Sequence, residues 1–302
     1  DSARSKKCDI SIYVMLQKMK YQLFKFLAWL PIESFKNPAP VIGVIRFDGV
    51  IGRGEGISRT GITLDHYDKT ITNLFEDKSL RAVAIVVNSP GGSPVQSELI
   101  AARIRELADE NGLAVIAFCE DIAASGGYWI ACAADEIFAS ANSIIGSIGV
   151  ISAGFGFVEF MERFGIERRV YATGKRKGML DPFQEEKEED IDRLRELHED
   201  IFKNFKTHVK TSRGDRLKAS DEAVFTGDVW TGQQAVEVGL VDGLAELRTE
   251  IHRRFGKKTR FRRVDIKRGL LSSLRGRASE RIEPTEFLSA LDDWAIWKRF
   301  GL

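Results

Sequence analysis

The sequence predicts an α/β fold, and three observations carry that prediction. Short runs of small and β-branched apolar residues alternate with amphipathic stretches of helical period. Two of the apolar runs lead into glycine turns, and the order strand, turn, helix recurs through the middle of the chain. The composition is that of an ordinary globular protein, with 43% hydrophobic and 29% charged residues in a chain of 302.

Val41 to Phe47 reads as a buried strand, and the Gly/Arg/Ser-rich stretch from Gly49 to Gly61 reads as a loop. A short helix is expected from Leu64 to Glu76. Arg81 to Asn88 has the small, β-branched, continuously apolar character of a strand buried on both faces, and it ends in Ser89-Pro90-Gly91-Gly92. A helix should leave that turn on the face of Val95, Leu99, Ile100, Ile104 and Leu107, closed by Gly112.

Leu113 to Phe118 is the next expected strand, followed by a helix that starts at Ser125 and covers Tyr128 to Ala134. Glu136 to Ala139 and Ile144 to Ile151 read as further strands, the second with glycines at 146 and 149. Glu185 to Lys210 is a long helix, with acids in its first turns, bases in its last, and an apolar stripe of Ile191, Leu194, Ile201, Phe205 and Val209. Thr231 to Val238 is a short helix stopped by Gly239.

These readings divide the chain into an N-terminal amphipathic segment (1–40), a central domain (41–255) and a basic, then amphipathic, C-terminal tail (256–302). Net charge is +1, so nothing global points to nucleic acid as a partner. Cys8, Cys119 and Cys132 match no zinc or redox spacing, and no metal or other cofactor is expected; Cys119 and Cys132 read as small buried thiols. Tyr21 to Pro31 is about half the length of a spanning helix, and with Lys18, Lys20 and Lys25 beside Leu23, Phe24 and Trp29 it suits a membrane interface or a neighbouring subunit. The expected location is therefore membrane-associated by peripheral contact. The chain begins at Asp1, which leaves room for a signal or anchor upstream; without one the expected compartment is the cytoplasm.

The chemistry is concentrated around Asp121-Ile122-Ala123-Ala124-Ser125-Gly126-Gly127-Tyr128 and the earlier turn Gly91-Gly92. Small residues on both sides of one serine let main-chain N–H groups approach a reacting carbonyl. A serine hydroxyl needs a base. His66, His198, His208 and His252 sit in no local motif, whereas Gly174-Lys175-Arg176-Lys177-Gly178-Met179-Leu180 offers two lysines, of which Lys177 has the more apolar neighbours. Taken singly, Ser125 could be no more than a helix cap, and Gly91-Gly92 no more than a tight turn.

Four ordered motifs, Ser-Pro-Gly-Gly, Ala-Ala-Ser-Gly-Gly-Tyr, Gly-Ser-Ile-Gly-Val and Gly-x-x-Lys followed by Pro-Phe, resemble the signal peptide peptidase A (protease IV)/SohB family of serine peptidases over roughly residues 41 to 250. The resemblance implies a ClpP/crotonase-like fold of repeated ββα units, here with a helical C-terminal extension. It implies a Ser125–Lys177 dyad, with Lys175 the less suited lysine and Ser147 the hydroxyl that bonds the lysine amine. It places one oxyanion donor on Gly92, after Gly91, and a second at Ser125 or Gly126. The expected activity is endopeptidase cleavage of extended apolar peptides, such as remnant signal peptides or membrane-protein fragments, through an acyl-enzyme. Half-length members of the family share each site between adjacent subunits, so a homo-oligomer, an octamer, is expected. Two other classes remain open on the sequence: a crotonase-like acyl-CoA enzyme using Glu120 or Asp121, and a catalytically silent membrane-associated scaffold.

Overall fold

The computed structural model describes residues 38–52, 61–264 and 297–300. The N-terminal amphipathic segment, save its last residues, and most of the basic run and C-terminal tail lie outside the described residues.

The architecture is mixed α/β, as expected. Its strands are β1 (Val41–Asp48), β2 (Leu80–Ser89), β3 (Ala114–Ala124), β4 (Glu136–Ala139), β5 (Ile144–Gly146), β6 (Val229–Thr231), β7 (Gly243–Leu244) and β8 (Arg260–Val264). They form one sheet in the order β6-β5-β3-β2-β1-β8, with β4 and β7 branching from β3. All pairings are parallel except β5 with β6. The helices are α1 (Leu64–Phe75), α2 (Pro94–Asn111), α3 (Gly126–Ala131), α4 (Val158–Arg163), α5 (Glu188–Arg213), α6 (Asp221–Val224), α7 (Gly232–Val238) and α8 (Leu247–Phe255).

Parallel strands need helical crossovers, and both faces of the sheet are buried as a result. Val83, Ile85 and Val87 of β2 face one core with Phe47, Ile71, Ile104, Trp129 and Phe205. Ala82, Ala84 and Val86 face the opposite core with Ile42, Phe118 and Ile251. The two-residue period of a strand therefore explains why nearly every position of β2 is buried and apolar. Local signals set the helix ends: Ser93 caps α2 ahead of Pro94, and Gly112 closes it in the left-handed region at φ 62°. Thr231 and Gln234 form a reciprocal capping box on α7.

The strand that carries the serine is longer than its apolar run. The sequence reading stops it at Phe118, where Glu120 and Asp121 begin a polar interruption. The structure carries β3 on to Ala124 through a bulge, because Val87 pairs with Cys119 but Ser89 with Ala123. Asn88 holds the bulge, its side-chain oxygen accepting from Ile122 N–H at 3.3 Å. The first half of β3 then pairs with β4 and the second with β5.

Two further expectations change. The strand expected over Ile144 to Ile151 ends at Gly146, since Gly146 (φ 105°) and Ser147 (φ 49°) leave extended geometry. Arg260–Val264, expected as the start of a basic tail, is instead an edge strand beside β1.

Candidate active site

Three chain turns converge at the C-terminal ends of the parallel strands, where ligands of α/β sheets commonly bind. The first is Gly91-Gly92, at φ 108° and 140°, a region that side-chain-bearing residues avoid. Ile51 locks it: Ile51 N–H donates to Gly91 O, and Ser93 N–H to Ile51 O, each at 2.8 Å. That bridge uses the groups on either side of Gly92 N–H and leaves it out. A Cβ on Gly92 would lie 2.0 Å from Ile51 O, so the turn tolerates glycine alone.

The second turn is Ser125-Gly126-Gly127, between β3 and α3. Ser125 sits at φ 51°, ψ −122° and makes no side-chain capping bond to the helix it precedes. That removes the reading of Ser125 as a helix cap. A non-glycine residue held there costs on the order of 1–3 kcal/mol, and such strain concentrates at functional sites. Ser125 N–H is committed to Gly146 O at 2.7 Å. Gly126 N–H is the first amide of α3 and has no intrahelical acceptor. Space is tight, since a Cβ on Gly126 would meet Ser97 Oγ at 2.3 Å, and one on Gly91 would come within 2.9 Å of Gly126 N.

Ser147 forms the third turn, 6% exposed, its N–H donating to Asp228 O at 2.7 Å. Ser125, Gly92, Gly126 and Ser147 all line one cavity of about 510 Å³. The structure thus brings together four of the six residues expected at the site, with Gly91 packed directly behind them. Lys177 is not among the lining residues: it occupies an exposed turn of the segment 151–187. Lys175 is turned away as well, paired with Glu189 at 3.2 Å.

Two of the four histidines have other work. His208 stacks on Trp129 and its Nε2–H donates to Trp129 O at 3.0 Å. Burial holds its pKa below the ordinary imidazole value, only partly opposed by that carbonyl. His198 bonds Ser152, which is exposed and outside the glycine turns. Cys119 and Cys132 are free and buried, and burial pushes both thiols up, as inert core cysteines require.

The apolar walls were missed as site residues in the sequence. Trp129, Ile201 and Phe205 line the cavity together with Val150, Ile151, Thr226 and Gly227. Phe205 stacks on Trp129 at 4.7 Å. The signal was present as the apolar stripe of α5, but a stripe that packs a core and one that walls a cleft have the same period.

Residues 108–257 match the model of peptidase family S49. Two Brucella proteins, from Brucella abortus and Brucella melitensis, are 44% and 43% identical over 295 residues, 94% of this chain. Both carry the name of a Na(+)/H(+) antiporter, and the match spans 40% of each, so more than half of each relative lies outside it. A chloroplastic serine protease of Arabidopsis thaliana is 32% identical over 210 residues, 68% of this chain and 31% of that protein. Protease 4 of Haemophilus influenzae is 30% identical over 241 residues, 76% of this chain and 37% of that protein. Among the described residues no helix is long and apolar enough to cross a membrane. The Ser125 turn, Ser147 and strands β3 to β7 fall inside the matched span and Gly91-Gly92 precedes it; with two proteases at 30% identity or more over 68% and 76% of its length, the chain belongs to peptidase family S49.

Proposed function

We propose that this chain is a serine endopeptidase in which Ser125 is the nucleophile and Lys177 the base. The observation that carries the reading is Ser125 itself: a serine kept in a backbone conformation suited to glycine, free of any capping bond, facing a cavity beside two glycine turns. Nothing in the local fold needs a hydroxyl there.

Catalysis then runs as acyl transfer. A neutral lysine amine takes the Ser125 proton as Oγ attacks a peptide carbonyl, and the negative charge on the carbonyl oxygen is held by main-chain donors. Gly92 and Gly126 N–H are the donors we assign, because Ser125 N–H already serves Gly146 O. The ammonium protonates the leaving amine, and water later attacks the acyl-enzyme with the same amine as base. Ser147, buried beside Ser125, is the hydroxyl that would orient the amine. The apolar walls of Trp129, Ile201 and Phe205 suit extended, apolar peptide segments, including signal-peptide remnants.

Lys177 lies outside its own chain's cavity, so the amine is supplied by a second copy. The segment around it fits that role. Phe155 is 78% exposed, Phe164 63% and Tyr171 93%, three large apolar side chains of that segment left in water. A closed homo-oligomer, an octamer, would cover those side chains and complete each site from two chains. Peripheral membrane contact belongs to the same reading.

The test is labelling with a fluorophosphonate probe and hydrolysis of an apolar peptide by wild type, Ser125→Ala and Lys177→Ala. Both variants should lose peptide hydrolysis while assembling normally, Ser125→Ala without any labelling and Lys177→Ala with only slow residual labelling, and mixed oligomers of the two should regain activity. Full labelling of assembled Ser125→Ala, or no recovery from verified mixed oligomers, sinks the nucleophile or the shared site respectively.

A further inference from the structure

The turn that carries Lys177 is built more firmly than an exposed loop requires. From Gly174 to Gln184 the backbone closes on itself in consecutive turns: Lys177 N–H donates to Gly174 O, Met179 N–H to Arg176 O, Asp181 N–H to Gly178 O and Gln184 N–H to Asp181 O, all between 3.0 and 3.3 Å. Leu180, between Lys177 and Asp181, is one of three non-glycine residues at positive φ (57°) among the described residues, the other two being Ser125 and Ser147. A bulky residue held in that region marks a segment over-determined by its surroundings.

What over-determines it is Asp181. Its side chain is only 8% exposed although the segment around it is open. Oδ1 accepts from Arg168 at 2.7 Å and from Phe183 N–H at 3.1 Å. The Arg168 guanidinium also lies over the Phe183 ring at 4.7 Å, and Phe183 stacks on Phe157 at 5.4 Å. Phe157 N–H donates to Pro182 O at 2.7 Å. The carboxylate therefore ties the run through Arg168 to the turn with Lys177, and its neighbours Pro182 and Phe183 hold that turn to the start of α4.

We propose that Asp181 is a positioning residue for Lys177, clasping the turn so that the lysine is delivered to the Ser125 of a second copy in reacting geometry. The inference rests on the reading of Lys177 as base. A lysine has a flexible stem, so its reach is set by where its backbone is held, and an error near 1 Å in such a group costs about 100-fold. The Asp181 side chain is 8% exposed and that of Arg168 36%, so their variants can also lose stability, and kcat and labelling rate are therefore read on assembled protein to separate positioning from a structural role.

The experiment compares full-length, assembled Asp181→Ala and Arg168→Gln with wild type by fluorophosphonate labelling rate and by kcat and KM on an apolar quenched-fluorescent peptide. Both variants should lose about 10- to 100-fold in kcat and in labelling rate, with KM unchanged. In a Lys177→Ala background, Asp181→Ala should lower the residual labelling no further. Wild-type kcat in assembled Asp181→Ala, or an equal additional loss without Lys177, overturns the inference while leaving the dyad standing. Wild-type labelling by Lys177→Ala overturns the base assignment, and this inference with it. If Asp181→Ala does not assemble, Asp181→Asn, which keeps the acceptor for Phe183 N–H and loses only the charge opposite Arg168, is read in its place by the same criteria.

Discussion

Replacing Ser125 with glycine should make this protein more stable. Ser125 holds φ 51°, ψ −122°, a conformation that only glycine adopts without penalty, and its side chain caps nothing. Ser125→Gly releases about 1–3 kcal/mol of backbone strain. Against that stands the extra freedom of glycine in the unfolded chain, roughly 0.5–1 kcal/mol. The net gain is about 1 kcal/mol, or a rise in melting temperature of about 2–4 °C for a domain of this size. Ser125→Ala removes the same hydroxyl but keeps the Cβ, so it should melt with wild type. The assay is thermal unfolding of the three proteins at matched concentration and scan rate, because assembly makes melting concentration-dependent. If Ser125→Gly melts at or below Ser125→Ala, the strain reasoning fails, and with it the argument that the backbone is distorted for the sake of the hydroxyl.

The other expectations follow from single contacts. Gly92→Ala puts a methyl 2.0 Å from Ile51 O and forces its N–H off line, so hydrolysis should fall by about 100- to 1,000-fold, read against a thermal melt that separates activity from unfolding. Arg213 is 1% exposed and bonds Asp242 through two nitrogens and Gly239 O through a third, all at 2.9 Å. Arg213→Ala leaves Asp242 without its main partner and should cost about 3–5 kcal/mol by denaturant titration. Acid should destabilise the fold in two stages. Burial holds His208 below the usual imidazole range, so the unfolded chain takes up that proton first and stability falls as pH drops through about 6.5. Arg253 and Arg254 hold Glu250 down to about 2, and hydrogen bonds to Arg213 and Ile137 N–H keep Asp242 low despite its burial. Those two contribute in full above the usual carboxylate range and lose their contribution as pH falls from about 4 toward 2. Denaturation midpoints at pH 8, 5.5 and 3 check the direction; a midpoint that rises on acidification contradicts it.

Strands buried on both faces write themselves into sequence as unbroken apolar runs, so β1 and β2 were legible, as were α1, α2 and α5 from their period and caps. Residues with special local chemistry were legible too: Gly91, Gly92, Ser125 and Gly126 announce a tight approach by their small size alone, wherever the chain goes next. The extension of β3 to Ala124 was not, because Glu120 and Asp121 interrupt the apolar run and only the bulge against β2 keeps the pairing. Nor was β8, whose arginines look like a tail until β1 offers an edge.

What the letters determined by themselves is local: which segments must be buried, which turns demand glycine, and which serine and pair of lysines are candidates for acyl chemistry. What only the tertiary structure decided is relational. It gave Ser125 N–H to Gly146 O, brought Ser125, Gly92, Gly126 and Ser147 to one cavity, turned the α5 stripe into a cleft wall, and set Lys177 outside that cavity. Local patterns record the burial and backbone geometry of each segment. Which distant groups share a bond or a cavity depends on how the segments pack, and a single sequence does not encode that in any one stretch.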